Sequence, residues 1–152
     1  MLQDQITLKA RHRNFVKKIS EKEIVYALKN NEGYATSSSN KVKDEEGNPI
    51  EIICFWSDIS IAKSCIENEW NEYEISELSL SEFLENWCVG MSNDRLIIGT
   101  NFDKNLFGYE IEPLDLILEI ISELNLLNKQ IILNKFDGIQ DLEFQIKNIL
   151  EN

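Results

Sequence analysis

The chain is 152 residues long, 43% hydrophobic and 9% aromatic, and its 27 acidic residues against 15 basic ones leave a net charge of −12. That is one domain's worth of chain, able to bury roughly two-thirds of its unfolded surface without staples. An acidic surface disfavours nucleic-acid phosphates and anionic lipid, no run approaches the roughly 20 apolar residues that span a bilayer, and MLQDQITLKARHRNF lacks a signal peptide's apolar core, so a soluble, cytoplasmic protein is expected.

In chain order, residues 4 to 19 are expected to form a helix, weakly periodic through Ile6, Phe15, Val16 and Ile19 and stopping at Ser20. Lys9, Arg11, Arg13, Lys17 and Lys18 then form its solvated basic side. Glu23 to Lys29 and Gly33 to Ser37 read as the two strands of a hairpin turned at Asn30-Asn31-Glu32-Gly33. The polar stretch from Ser37 to Pro49 reads as a long mobile loop with Gly47-Asn48-Pro49 as its punctuation. Next comes a central strand, residues 51–56, whose unbroken apolar run Ile52-Ile53-Cys54-Phe55-Trp56 predicts cover on both faces.

Ser57 and Asp58 offer N-caps to a helix with the stripe Ile59, Ala62, Ile66, Trp70 and Tyr73. Tyr73 to Leu78 alternates as a strand, with Tyr73, Ile75 and Glu77 on one side and Glu74, Ser76 and Leu78 on the other. A Ser79-x-x-Glu82 capping box opens a second helix through Leu80, Phe83, Leu84, Trp87, Cys88 and Met91. Arg95 to Thr100 and Leu106 to Glu112 read as short strands. Pro113 suits the first turn of a buried helix carrying Leu114, Ile117, Leu118, Ile121, Leu124 and Leu127. Residues 127–152 are a C-terminal extension with an Ile131-Ile132-Leu133 run, an Asp137-Gly138 turn and a closing helix through Ile139, Leu142, Ile146, Ile149 and Leu150. The expected fold is a single α+β domain over residues 1–152, its mixed sheet built from the N-terminal hairpin and central strand and packed by helices.

Phosphate-loop, dinucleotide, zincin and hydrolase-elbow motifs lack their minimal parts. Cys54, Cys65 and Cys88 are odd in number, far apart and on apolar faces, so they read as reduced core residues with no metal site. His12 is the sole histidine, distant from any cysteine, which argues against a cysteine nucleophile. Asn101, Asp103, Asn105 and Glu112 match four positions of a calcium loop, yet Leu106 occupies the place of the turn glycine. Trp56, Trp70 and Trp87 lie on the expected buried stripes, where they form core. No catalytic residue and no cofactor is assigned.

Charge is the remaining signal. Between Glu67 and Glu85 stand seven glutamates and no basic residue. Glu67, Glu69, Glu72, Glu74 and Glu77 are therefore the candidate binding face for a basic protein partner, since a field of one sign steers association and suppresses wrong partners.

The order Phe55-Trp56-Ser57-Asp58, Ala62, Trp70, Leu80-x-x-Phe83-Leu84 and Gly99-Thr100-Asn101, continuing through Gly108 and Glu110 to Pro113, resembles the bacterial proteins grouped as domain of unknown function 2750, over about residues 13–120. Cys54 stands where the resemblance leads one to expect proline, and Phe102 where it leads one to expect tryptophan. The family implies one compact domain and carries over no catalytic residue. The expected function is a non-enzymatic protein-binding module of immunity or antitoxin type; the alternative is a small-ligand binder or carboxylate enzyme with tryptophans and acids lining a pocket between sheet and helices. Oligomeric state is not legible.

Overall fold

The computed structural model describes residues 2–67 and 70–151. Helix α1 (Leu2–Lys22) buries Phe15, Val16 and Ile19, the stripe that the sequence marks. It does not stop at Ser20, which is itself buried. The break comes at Glu23, whose φ of 60° is left-handed while its N–H still donates to the Ile19 carbonyl. Lys129 sits on that end with Nζ on the carbonyls of Ser20 and Glu21 and 3.1 Å from the Glu23 carboxylate, a cation at the negative pole of the helix.

Strand β1 (Ile24–Asn30) pairs antiparallel on one side with β5 (Glu74–Ser79). On its other side it meets β4 (Pro49–Trp56) through Tyr26↔Trp56 and Ala27↔Phe55, and then the two strands part. Ala35 fills the fork: its N–H donates to Leu28 O at 2.8 Å and its carbonyl accepts from Cys54 N–H at 3.2 Å. It joins β2 (Gly33–Tyr34), paired with β1, to β3 (Thr36–Lys43), paired with β4. Strand β6 (Ile97–Thr100) runs parallel to β4 from Ile52↔Ile97 to Phe55↔Thr100, and β7 (Tyr109–Ile111) closes that side antiparallel. The sheet is mixed and seven-stranded, with β5 and β7 at its outer edges.

Successive strand residues point to opposite faces. Val25, Ala27, Phe55, Leu78, Ile98 and Ile111 therefore face one core, covered by α1, by a rod made of α3 (Leu80–Glu82), a π-helical turn (Phe83–Cys88) and α4 (Val89–Asn93), and by α5 (Pro113–Leu126) and α6 (Ile139–Glu151). Leu28, Ile52, Cys54, Trp56 and Ile97 face the second core, beneath α2 (Ile59–Ile66), Trp70 and Phe102. The central strand is thus covered on both faces, as its unbroken apolar run requires.

Three further expectations need correction. The stretch from Ser37 to Pro49 is no long loop: β3 continues to Lys43, and only the turn Asp44 to Asn48 separates it from β4. Helix α2 ends at Ile66 rather than running on through Tyr73, and Trp70 packs edge-on to Trp56 at 5.7 Å from beyond the helix end. Residues 106–112 yield only the three-residue β7. In the run Ile131 to Leu133, Ile131 and Leu133 turn into the first core and leave Ile132 88% exposed. The Ser79 cap and the Pro113 start stand as read: Ser79 Oγ accepts from Glu82 N–H at 3.1 Å, and α5 opens on Pro113.

Candidate functional site

Glu67, Glu72, Glu74 and Glu77 are all exposed. Glu69 lies outside the described residues. Strand geometry divides this block: Glu77 points, with Ile75, to the α2 side of β5, whereas Glu74 points to the opposite side next to its cross-strand partner Lys29. Glu72 and Glu74 join Glu32, Lys29, Asn30 and Asn31 around a groove of about 410 Å³ at the β1–β2 turn. Glu67 follows the end of α2. The run's last member is no part of this surface. Glu85 is buried in the π-helical turn and accepts a hydrogen bond from Lys135 N–H.

A second constellation, which the charge pattern does not reveal, lies where α1 crosses the carboxyl ends of the parallel pair β4 and β6. Asn101, fully buried and left-handed at φ 48°, accepts from Ser57 N–H at 2.9 Å through Oδ1 and donates from Nδ2 to Ser57 Oγ at 3.0 Å. Ser57 Oγ donates to Asp58 at 3.0 Å, and Lys18 Nζ holds both Asp58 oxygens at 3.1 Å. Asp58 therefore serves Lys18 and Ser57, and its side chain does not cap α2. Arg11 Nη1 donates to the carbonyls of Phe107 at 3.0 Å and Asn101 at 3.3 Å, and stands 3.5 Å from Asp103.

His12, the lone imidazole, is buried between Thr100 Oγ1 at 2.8 Å from Nδ1 and Glu119 Oε1 at 2.6 Å from Nε2, with its ring stacked on Tyr109 at 4.2 Å. Hydroxyl, imidazole and carboxylate follow the bonding order of a nucleophile relay. Thr100 is 0% exposed, so its hydroxyl meets no substrate, and the line fastens α1 to β6 and α5. Arg13 adds an ion pair to buried Glu123 at 3.1 Å. Arg11 and Lys18, expected on a solvated face, are instead tied to the body of the domain, while Arg13 stays largely exposed beside Glu123.

The three thiols are free and buried. Burial pushes each of them up, Cys54 further through Cys65 and Glu110 nearby, and for Cys65 a hydrogen bond with Ser64 partly offsets the rise. Trp56 donates its indole N–H to Phe102 O at 2.8 Å. Trp87 is half-buried against Tyr34 with ring centroids 4.5 Å apart, and among the described residues no tryptophan lines the grooves of about 610, 410 and 380 Å³. Asp103 folds back on its own loop and accepts from the N–H groups of Asn105 and Phe107. Among the described residues, no group of three or more His, Cys, Asp or Glu is placed to hold a metal ion, and no helix is long and apolar enough to cross a membrane.

A family model described as protein of unknown function (DUF2750) matches residues 12–120, 109 of the chain's 152 positions. The chain belongs to the DUF2750 family. No curated protein and no solved structure matches it.

The positions that carry the DUF2750 resemblance turn out to be joints. Ser57 and Asn101 bond to each other, Thr100 holds His12, and Glu110 accepts from Ser39 Oγ, tying β3 to β7. Gly99 and Gly108 form a cradle for Phe102: a Cβ on Gly99 would lie 2.6 Å from the ring, and one on Gly108 still closer. The matched segment takes in α1 from His12 onward, the whole sheet and the first turns of α5, and leaves α6 outside.

Proposed function

We propose that this DUF2750 chain is a non-enzymatic protein-binding module that works in the cytoplasm and receives a basic protein on the acid-lined edge strand β5. The observation that carries this reading is the placement of Glu74 and Glu77. They are exposed on opposite faces of one sheet-edge strand, with Glu72 and Glu32 close by and Lys29 the one basic residue in the same groove. On a chain of net charge −12, such an edge steers a basic partner and repels an acidic one. The partner class that suits this charge is a basic toxin or nuclease, which an immunity-type protein would neutralise.

The test is capture from the native cell with wild-type and Glu74→Lys/Glu77→Lys proteins, followed by titration of the recovered partner. The wild type should hold a basic protein at least tenfold more tightly than the double variant, and rising salt should narrow that gap because exposed charges are screened. Equal affinity for the two proteins would refute the reading.

A second reading, small-ligand binding, draws on a groove of about 610 Å³ in which Lys43 and Arg95 share the walls with Asp44, Glu45, Glu46 and Glu112. It predicts a metabolite that co-purifies with the wild type and is lost on Arg95→Ala.

A further inference from the structure

Among the described residues, strand β5 pairs with β1 on one side only. Leu80 N–H donates to Glu23 O at 3.0 Å, which makes Glu23 and Leu80 a bonded pair of the β1–β5 ladder. The register runs from Ile24↔Ser79 to Lys29↔Glu74, and bonded pairs recur at every second position of an antiparallel ladder. Leu78, Ser76 and Glu74 therefore direct their N–H and C=O groups at β1. Ile75, Glu77 and Ser79 direct theirs outward, along an edge that no other described strand occupies. Glu77 and Ser79 are exposed and Ile75 is half-buried.

Building on the acid-edge reading, we propose that β5 binds its partner by strand addition, an extended basic segment of the partner protein pairing with the outward amides and carbonyls of Ile75, Glu77 and Ser79. Main-chain bonds supply attachment in this mode, and alternate side chains supply selectivity. Opposite Glu77 and Ile75, on the α2 side, an antiparallel segment presents one basic and one apolar residue. Opposite Glu74, on the other side, it presents a second basic residue. The recognised pattern is basic-any-apolar-basic, as in Lys-Thr-Val-Lys. A second copy of this chain is a poorer occupant, because antiparallel self-pairing about the centre of the edge sets Glu77 against Glu77, and like charges directly opposite destabilise a ladder.

The probe is a cyclic hairpin peptide presenting Lys-Thr-Val-Lys on its free edge, with a control in which both lysines are glutamate. Binding is followed by amide exchange and by titration against wild-type, Glu77→Gln and Glu77→Pro proteins. Proline at this position removes only an outward N–H and leaves the β1 ladder intact. The expected result is slowed exchange at Ile75, Glu77 and Ser79, a loss of a few-fold for Glu77→Gln, at least a further tenfold for Glu77→Pro, and no binding of the glutamate control. N-methylation of the peptide's facing amides should abolish binding to the wild type, a readout that does not depend on how Glu77→Pro folds. Strand addition is overturned if the methylated peptide binds as well as its parent, or if those three amides stay unprotected. If that happens while the lysine peptide still outbinds its glutamate control, the acid-edge reading survives without it; if lysine and glutamate peptides bind alike, that reading fails too.

Discussion

Replacing Asn101 separates two costs that the structure places at one residue. Asn101→Ala removes the acceptor of the buried Ser57 N–H, and an unpaired buried amide costs about 1–3 kcal/mol. It also forces alanine into the left-handed backbone at φ 48°, which asparagine visits far more readily and which costs a residue with a Cβ roughly 1 kcal/mol. The sum is about 2–4 kcal/mol. Asn101→Gly loses the same hydrogen bonds and avoids the strain, so glycine should be the more stable variant of the two by roughly 1 kcal/mol. Urea denaturation followed by tryptophan fluorescence measures both, and a chain of this size should lose about 2–4 °C of Tm per kcal/mol. If alanine is as stable as glycine, or if either variant loses under 0.5 kcal/mol, the Ser57–Asn101 joint does not hold β4 to β6 as described.

The cradle around Phe102 predicts that Gly108→Ala, whose Cβ would run into the ring, destabilises the domain by about 1–3 kcal/mol in the same denaturation assay, while Gly90→Ala, with open space around its Cβ, does not. The thiols, buried and pushed up, should resist iodoacetamide at pH 8 in the native protein and react at all three positions once it is unfolded, with mass spectrometry counting the adducts. The Asp141 carboxyl at the start of α6 is held below its ordinary value by hydrogen bonds from Asp137 N–H and Gln145. Its contribution is therefore complete above the ordinary carboxylate range and lost as pH falls through the lowered value, so Asp141→Asn should flatten the acid limb of the Tm profile.

What could be read from the sequence was whatever a single local pattern encodes. Ile52 to Trp56 is apolar without interruption because both faces of β4 are covered, and Ser79 with Glu82 marks a helix start by its own hydrogen bond. Strand β3 escaped notice because TSSSNKVK is polar at nearly every position. Its register to β4 shifts after Ser38, and Ser39 reaches across to Glu110 rather than following the alternation of a buried strand.

The joints under α1 were hidden for a different reason. His12 and Thr100, Lys18 and Asp58, and Arg11 and Phe107 are brought together only by the crossing of α1 over strands 40 to 96 residues away, and a basic residue on an amphipathic helix reads the same whether it meets solvent or a distant carboxylate. The acidic block was legible as charge but not as shape. Strand alternation puts Glu74 and Glu77 on opposite faces and helical packing buries Glu85, so a run that looks continuous in sequence becomes an edge rather than a patch.

The central claim is that this domain acts through the edge of β5. Amide exchange on the chain with and without the basic protein captured from its native cell tests it most directly. The account predicts protection concentrated at residues 75–79, lost in Glu74→Lys/Glu77→Lys. Protection that leaves those residues unchanged and falls instead around Asp44 to Glu46 and Arg95 would contradict it.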